Sequence, residues 1–557
     1  MGRHLKPTPG ALTTTVFFAS VLLLNIMSRI NRHIVALLIS AVLISSCSTS
    51  GGYWIPPHAT EPNAPALALL GETPLPQLSE PTQLPQDPAT PEPATQTAEA
   101  QNPPRVPSEI TPVVPEVNLT PFLYYAQAAD TLPVVAIRFG VAPEEITSPD
   151  PLPPQDFLNP GQLLVIPRRL ANTTASIHLI PDSEVVFSPS AINFDIHEFV
   201  NQAGGKLSRH SEWFRTSSTI PGSEIVLRVA TENSINPRLL LTLLEYQSHW
   251  VYGEPANLQE EEYQMGAVDA RERGLYNQLV WAVNQLSIGY YAYREGRLTE
   301  IRFKDGLTAR LAPDLNAGTV ALQYLFAQLY SGQEWLDALD PIEGLPALHE
   351  RMFGNPWERG RTVEPLFPPG IVQPPLTLPF ARGNWVWAFT GGPHGAWEHD
   401  GAYAALDFAP GSIESGCVPS YAWVTASSSG LVVRSGNGVV VLDLDGDGYE
   451  QTGWVLLYLH LSNTDRVKVG DWVDEGDRLG HPSCEGGIST GTHLHIARKY
   501  NGEWIPADGP LPFNLGGWVA HAGDAAYKGT LVRDGKTVNA SVFSSFDTLI
   551  LRGPDDP

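Results

Sequence analysis

Chemistry enters this sequence where its histidines gather. The stretch Gly491-Thr492-His493-Leu494-His495-Ile496 sets two imidazoles one residue apart in an apolar alternating run. Period-two alternation puts both on one face of a strand, while Leu494 and Ile496 point the other way into a core. Neutral imidazole is the commonest protein ligand for a transition metal. Two surface histidines on a strand would read the same way, so the rest of the chain has to decide. Gly391-Gly392-Pro393-His394 is followed, thirteen residues after its histidine, by Asp407 in Leu406-Asp407-Phe408-Ala409-Pro410. In Leu456-Leu457-Tyr458-Leu459-His460-Leu461, alternation places Tyr458 and His460 on one strand face and the leucines 457, 459 and 461 on the other. A carboxylate and several histidines among apolar strands and turns can build a catalytic zinc site with three protein ligands and an open position.

The order and wording of these segments resemble the lysostaphin/LytM-type zinc endopeptidases, and within them the beta-lytic, staphylolysin-like branch. Three features carry the resemblance: the long gap from His394 to Asp407, the run from Cys484-Glu485-Gly486-Gly487 to His493-Leu494-His495, and the Tyr500-Asn501-Gly502 turn. Most of the family separates the first histidine and the aspartate by only four residues. The resemblance covers residues 380 to 510. It implies His394, Asp407 and His495 as ligands of one zinc per peptidase domain. His460 and His493 are implied as a second, catalytic pair that does not bind metal in the resting enzyme. One of the pair takes or holds the proton of the attacking water, and the other supports the oxyanion and the leaving amine. The two roles stay unassigned between them, and Tyr458 is a further candidate donor to the oxyanion. His399 stands nearer Asp407, but the Gly-Gly-Pro-His context and the branch spacing favour His394. The resemblance also supports a disulfide between Cys417 and Cys484, the two cysteines left of three once Cys47 is set aside.

These residues need elements to position them. Gly430 to Arg434 and Gly438 to Asp443 read as strands bounded by turn residues, and Val467 to Gly480 has the same turn-rich rhythm. An antiparallel all-β peptidase domain over 379–535 is expected, with 536–557 as a C-terminal tail. Asp443-Leu444-Asp445-Gly446-Asp447-Gly448 alternates carboxylates like a calcium loop but lacks the acidic twelfth position. It reads better as an Asp-Gly hairpin turn. His481 and His521 read as ordinary turn or surface histidines.

With 557 residues the chain must hold several domains. Two apolar runs lie in 1–47. The second, Ile34 to Ile44, follows the basic Ser28-Arg29-Ile30-Asn31-Arg32 and ends at Ser45-Ser46-Cys47, which resembles a lipobox with Cys47 as the lipidated residue. That framing points to Met27 as the start of translation and to an extracytoplasmic protein, membrane-anchored as a lipoprotein or secreted to the cell envelope. Residues 48–118, rich in Pro, Thr, Glu, Gln and Ala, read as a disordered tether. Residues 119–169 read as strand, helix, helix, strand. With Asn159-Pro160-Gly161-Gln162-Leu163 they resemble a LysM module, which implies binding to glycan strands of peptidoglycan. After a linker at 170–194, residues 195–358 carry helical periodicity at Val226–Thr231, Pro237–Leu244, Leu275–Ala292 and Ala317–Tyr330. The segment Ile235 to Trp250 resembles the first motif of lysozyme-like lytic transglycosylases. Gln247 stands where those enzymes carry their catalytic glutamate, and Glu245 would face elsewhere, so a non-catalytic all-α lysozyme-like module is expected. Residues 359–378 form a second Pro-rich linker.

A net charge of −25 argues against a nucleic-acid partner. The whole reads as a cell-envelope zinc metalloendopeptidase acting on the peptide crosslinks of peptidoglycan. The alternative is a non-catalytic peptidoglycan-binding protein or amidase activator on the same scaffold, but such relatives lose ligands that are all present here.

Overall fold

The computed structural model describes residues 120–556, except 215–217, 384–385, 398–399, 413–415 and 544. Cys47, the tether and His399 lie outside the described residues.

The first unit pairs β1 (Phe122–Tyr125) with β2 (Leu163–Ile166), antiparallel, around α1 (Leu132–Phe139). Thr131 caps α1 by accepting Val134 N–H, and Gly140 ends it in the left-handed region at φ 67°. The expected second helix is only a 3₁₀ turn at Pro143–Glu145. Prolines at 149, 151, 153 and 154 lack the N–H donors that a longer helix would need. Tyr124, Val135, Phe139, Leu164 and Ile166 form a small core of its own.

The helical region contains α2 (Ile196–Ala203), α3 (Gly222–Asn233), α4 (Pro237–Ser248), α5 (Leu275–Arg294), α6 (Ala317–Leu329) and α7 (Leu345–Phe353). Three of the four periodic stretches of the sequence fall within helices, and the fourth overruns its helix only at Tyr330. Asn236 accepts Arg238 N–H ahead of Pro237, the start its sequence suggests. α5 and α6 pack closely because Gly289 has no side chain: a Cβ there would lie 2.9 Å from Ala321 Cα. The stretch expected as a linker at 170–194 is not one. Leu179, Ile180, Val185, Val186 and Phe187 are buried in the helical core, because five apolar residues so close together gain more from burial than from solvent.

The C-terminal domain is built on a nine-stranded antiparallel sheet. Its strands are β3 (Val386–His394), β4 (Ala405–Pro410), β5 (Gly430–Gly436), β6 (Val439–Asp443), β7 (Trp454–Leu459), β8 (Trp472–Val473), β9 (Leu494–Tyr500) and β10 (Glu503–Trp504). A small second sheet follows from β11 (Asn514–Leu515), β12 (Trp518–Ala522), β13 (Gly529–Arg533) and β14 (Lys536–Asn539), and then β15 (Leu549–Leu551) returns to the first. The order in the large sheet is β8-β5-β6-β7-β9-β4-β3-β15, with β10 beside β9. So the expected tail 536–557 is part of the fold: β14 completes the small sheet and β15 pairs with β3.

Both faces of the large sheet are covered, which is why β6 and β7 read as almost unbroken apolar runs. Val440, Leu442, Leu456, Tyr458, Leu494 and Ile496 face the domain's own core. Val439, Val441, Val455, Leu457, Leu459 and Ala497 face the other way and merge with the helical core.

Candidate metal centre

The site lies at the end of the face shared with the helices. β9 runs between β7 and β4, with His495 opposite Leu459 on one side and Asp407 on the other. Asp407 in turn lies opposite Gly391 of β3, whose register shifts twice before His394 pairs with Ala405. Gly391 has to be glycine, since a Cβ there would sit 2.5 Å from an Asp407 carboxylate oxygen. Directly opposed residues share a face, so the sheet register alone gathers Asp407 and His495, and the irregular end of β3 brings in His394.

The geometry is tight. His394 Nε2 lies 3.3 Å and His495 Nδ1 3.2 Å from Asp407 Oδ1, and the two ring nitrogens are 3.1 Å apart. Each imidazole is oriented by a carbonyl behind it. His394 Nδ1 is 2.7 Å from Gly392 O, and His495 Nε2 is 3.1 Å from Ala396 O. A carbonyl only accepts, so those nitrogens carry the protons and the opposite nitrogens present lone pairs. Two imidazole lone pairs and a carboxylate oxygen thus converge on one point. Asp407 Oδ1 is buried with no hydrogen-bond donor. Such a convergence is repulsive unless a cation takes it, and these three residues could hold one. Two imidazoles and a carboxylate are a donor set that would suit zinc.

The remaining histidines stand alongside. His493 Nε2 is 3.8 Å from Asp407 Oδ1, with Nδ1 2.8 Å from Gly491 O. His460 Nδ1 is 2.9 Å from Glu485 O, and its ring centre lies 4.4 Å from that of His493. Burial, helped by His493 and His495, holds the His460 imidazole well below its ordinary pKa and therefore neutral. Burial likewise lowers His495.

Strand alternation misplaces one residue. Tyr458 does not share a face with His460: it is buried in the opposite core, with its hydroxyl accepting Ser427 N–H at 2.8 Å. β7 ends at Leu459, and His460 turns into the left-handed region at φ 66°, which swings its ring back to the Leu459 side. Tyr458 therefore gives no oxyanion donor. Tyr527, unmarked by any motif, does reach the site. It sits between β12 and β13, and its ring stacks on His394 with centres 3.9 Å apart. Backbone bonds Tyr527 N–H to Pro393 O and Gly392 N–H to Tyr527 O hold it there.

Other marked residues fall elsewhere. Cys417 and Cys484 form a disulfide. It ties the segment before β5 to the loop leading into β9, beside the bond from Thr492 N–H to Gly416 O. Asp443 accepts the amides of Asp445, Gly446 and Gly448, so the acidic run closes the β6–β7 turn, although its three carboxylates lie near enough together for a cation. His481 packs on Trp423, and His521 is exposed beside Asp508. Glu245 accepts the amides of Val251 and Tyr252, and Gln247 accepts the Tyr330 hydroxyl.

The model of peptidase family M23 matches residues 417–506, which hold His460, His493 and His495. The model of the LasA N-terminal domain matches residues 178–367, the helical region. Protease LasA of two Pseudomonas aeruginosa strains is 26% identical over 308 residues, 51% of this chain and 68% of LasA. Among solved structures, the M23 metalloprotease pseudoalterin is 22% identical, covering 31% of this chain and 96% of its own, with a TM-score of 0.25. The catalytic domain of the antimicrobial peptidase lysostaphin from Staphylococcus simulans is 28% identical, covering 23% of this chain and 89% of its own, with a TM-score of 0.16. The chain is a zinc metalloendopeptidase with an M23-type peptidase domain and a LasA-like helical region.

Proposed function

We propose that the enzyme hydrolyses peptide crosslinks of bacterial peptidoglycan, with His394, Asp407 and His495 as the zinc ligands and His460 and His493 as the acid–base pair. The observation that carries this reading is the convergence of three lone-pair donors with two more imidazoles beside them. Bound there, zinc supplies a Lewis acid that lowers the pKa of a water to about 7 and polarises the scissile carbonyl. His493 faces the centre with Nε2, and in His460 as in His493 the Nδ1 is tied to a carbonyl, which leaves Nε2 for proton transfer. One of them takes the attacking water's proton and, as an imidazolium near Asp407, returns it to the leaving amine. The other, when it is an imidazolium with a proton on Nε2 as well, donates that N–H to the substrate carbonyl oxygen as charge develops on it. Tyr527 keeps the His394 ring in place by stacking.

The same reading makes residues 119–169 a LysM module and the helical region a holder of glycan strands, with Cys47 as a lipid anchor in the envelope membrane. The peptidoglycan substrate is supported by the sequence resemblance. The test offers the full chain purified peptidoglycan and a soluble glycine-rich protein in parallel. New amino groups released from the wall polymer without new reducing sugar ends are expected. Cleavage of the protein alone would contradict the substrate assignment.

A further inference from the structure

The His460 ring reaches the site only because the chain enters the left-handed region at that residue, at φ 66°. That conformation is disfavoured for any residue with a Cβ and persists only where the surroundings fix it. What fixes it is the segment Ser483-Cys484-Glu485, which lies between His460 and His493. Ser483 N–H donates to His460 O at 2.7 Å, and the Ser483 hydroxyl reaches the same oxygen at 3.0 Å. The Ser483 carbonyl in turn accepts His493 N–H at 3.3 Å. Cys484 is bridged to Cys417, so the place of the segment is covalently set.

Glu485 adds two holds at once. Its carbonyl accepts from His460 Nδ1 at 2.9 Å and so sets the ring. Its carboxylate closes on the turn that follows His460. Oε1 and Oε2 lie 3.1 and 3.0 Å from Asn463 N, and the Ser462 hydroxyl donates to Oε1 at 3.3 Å. A backbone N–H on an ionised carboxylate makes a stronger bond than one on a neutral acceptor. Arg466 ties the same turn, donating to Leu461 O at 2.9 Å and to Asn463 Oδ1 at 2.8 Å. The Glu485 main chain is pressed against the β5–β6 turn, where a Cβ on Gly438 would lie 2.4 Å from its carbonyl carbon.

We propose that Glu485 is a positioning residue of the reaction. Its carbonyl holds the His460 ring and its carboxylate holds the turn behind it, so the imidazole stays beside His493 with Nε2 left for proton transfer. This rests on the reading of His460 as one of the acid–base pair. Both groups of Glu485 are engaged with residues 460–463 and not with a metal ligand. Its loss should therefore separate turnover from metal binding. A misplacement of about 1 Å in a reacting group costs about 100-fold in rate.

The test uses the full chain loaded with zinc and soluble crosslinked peptide fragments of peptidoglycan, with released amino groups as the readout. Wild type is compared with Glu485→Ala, Glu485→Gln and His460→Ala. Glu485→Ala should lower kcat about 10–100-fold while KM and zinc content stay as in wild type. Glu485→Gln keeps an acceptor oxygen at the same reach and should recover most of kcat. An alanine variant that turns over like wild type, or that loses zinc in step with turnover, overturns the proposal. A glutamine variant no better than alanine does the same. Hydrogen exchange of the wild-type chain stands even if the alanine variant fails to fold. There the Asn463 amide should be protected, and exchange at the rate of an open loop overturns the proposal. A wild-type chain without turnover, or turnover that survives His460→Ala, is a separate result that defeats the reading of His460 itself.

Discussion

At the scale of single residues, the site turns on Asp407, a buried carboxylate whose oxygen faces only nitrogen lone pairs. That makes the histidines separable by experiment. His495→Ala removes a donor to the shared point and should strip the metal together with turnover. Tyr527→Ala leaves every donor in place but frees one face of His394. It should weaken zinc binding about tenfold, read by chelator competition, whereas Tyr527→Phe should keep the affinity because the stacked ring remains. The His-x-His strand, Asp407 and His394 were marked in the sequence as carriers of a family resemblance, and the fold brings their side chains together. Tyr527 was not, because nothing local distinguishes a tyrosine in a turn until the small sheet folds it against β3. Tyr458 misled for a related reason: alternation holds only while a strand continues, and one left-handed residue at 460 cancels it.

At the scale of elements, the sheet register places the site and two devices hold that register. One is Gly391. Gly391→Ala would drive a methyl into the Asp407 carboxylate and push β3 from β4. Overpacking of this kind costs about 1–3 kcal/mol, so both melting temperature and zinc affinity should fall. The other is the Cys417–Cys484 bridge, which spans 67 residues. Closing such a loop stabilises by roughly 4 kcal/mol in the chain-entropy model. Cys417→Ser/Cys484→Ser should therefore melt markedly lower, and a double variant with an unchanged melting temperature would refute this. The helices were readable from period 3.6 and the strands from apolar runs between turns. The burial of 179–187 and the return of β15 were not, because both depend on surfaces that exist only after the helical and β regions meet.

At the scale of the whole molecule, the helical and peptidase regions share one core with buried charge at the seam. Burial pushes Glu503 up to about 7 against the pull of Arg294, with Asp182 adding to the rise. Burial also pushes Glu232 up to about 7, opposed by Arg228 and Arg434. A carboxyl raised in the fold keeps its proton there while the unfolded chain loses it. Its contribution is complete below the ordinary value near 4.5 and is lost as pH rises through about 7. These two carboxyls therefore contribute a decline in stability as pH rises from about 4.5 to about 7. Glu503→Gln should flatten that decline, measured as melting temperature against pH, and an identical slope in the variant would count against the buried carboxyl as its source.

The central claim is that metal binding and proton transfer belong to different histidines. Zinc content and peptidoglycan turnover of the full chain, measured side by side for wild type and His493→Ala, test it most directly. About one zinc per chain in both proteins, with new amino groups released only by wild type, is the predicted result. Loss of zinc along with His493, or full turnover without it, would contradict the account.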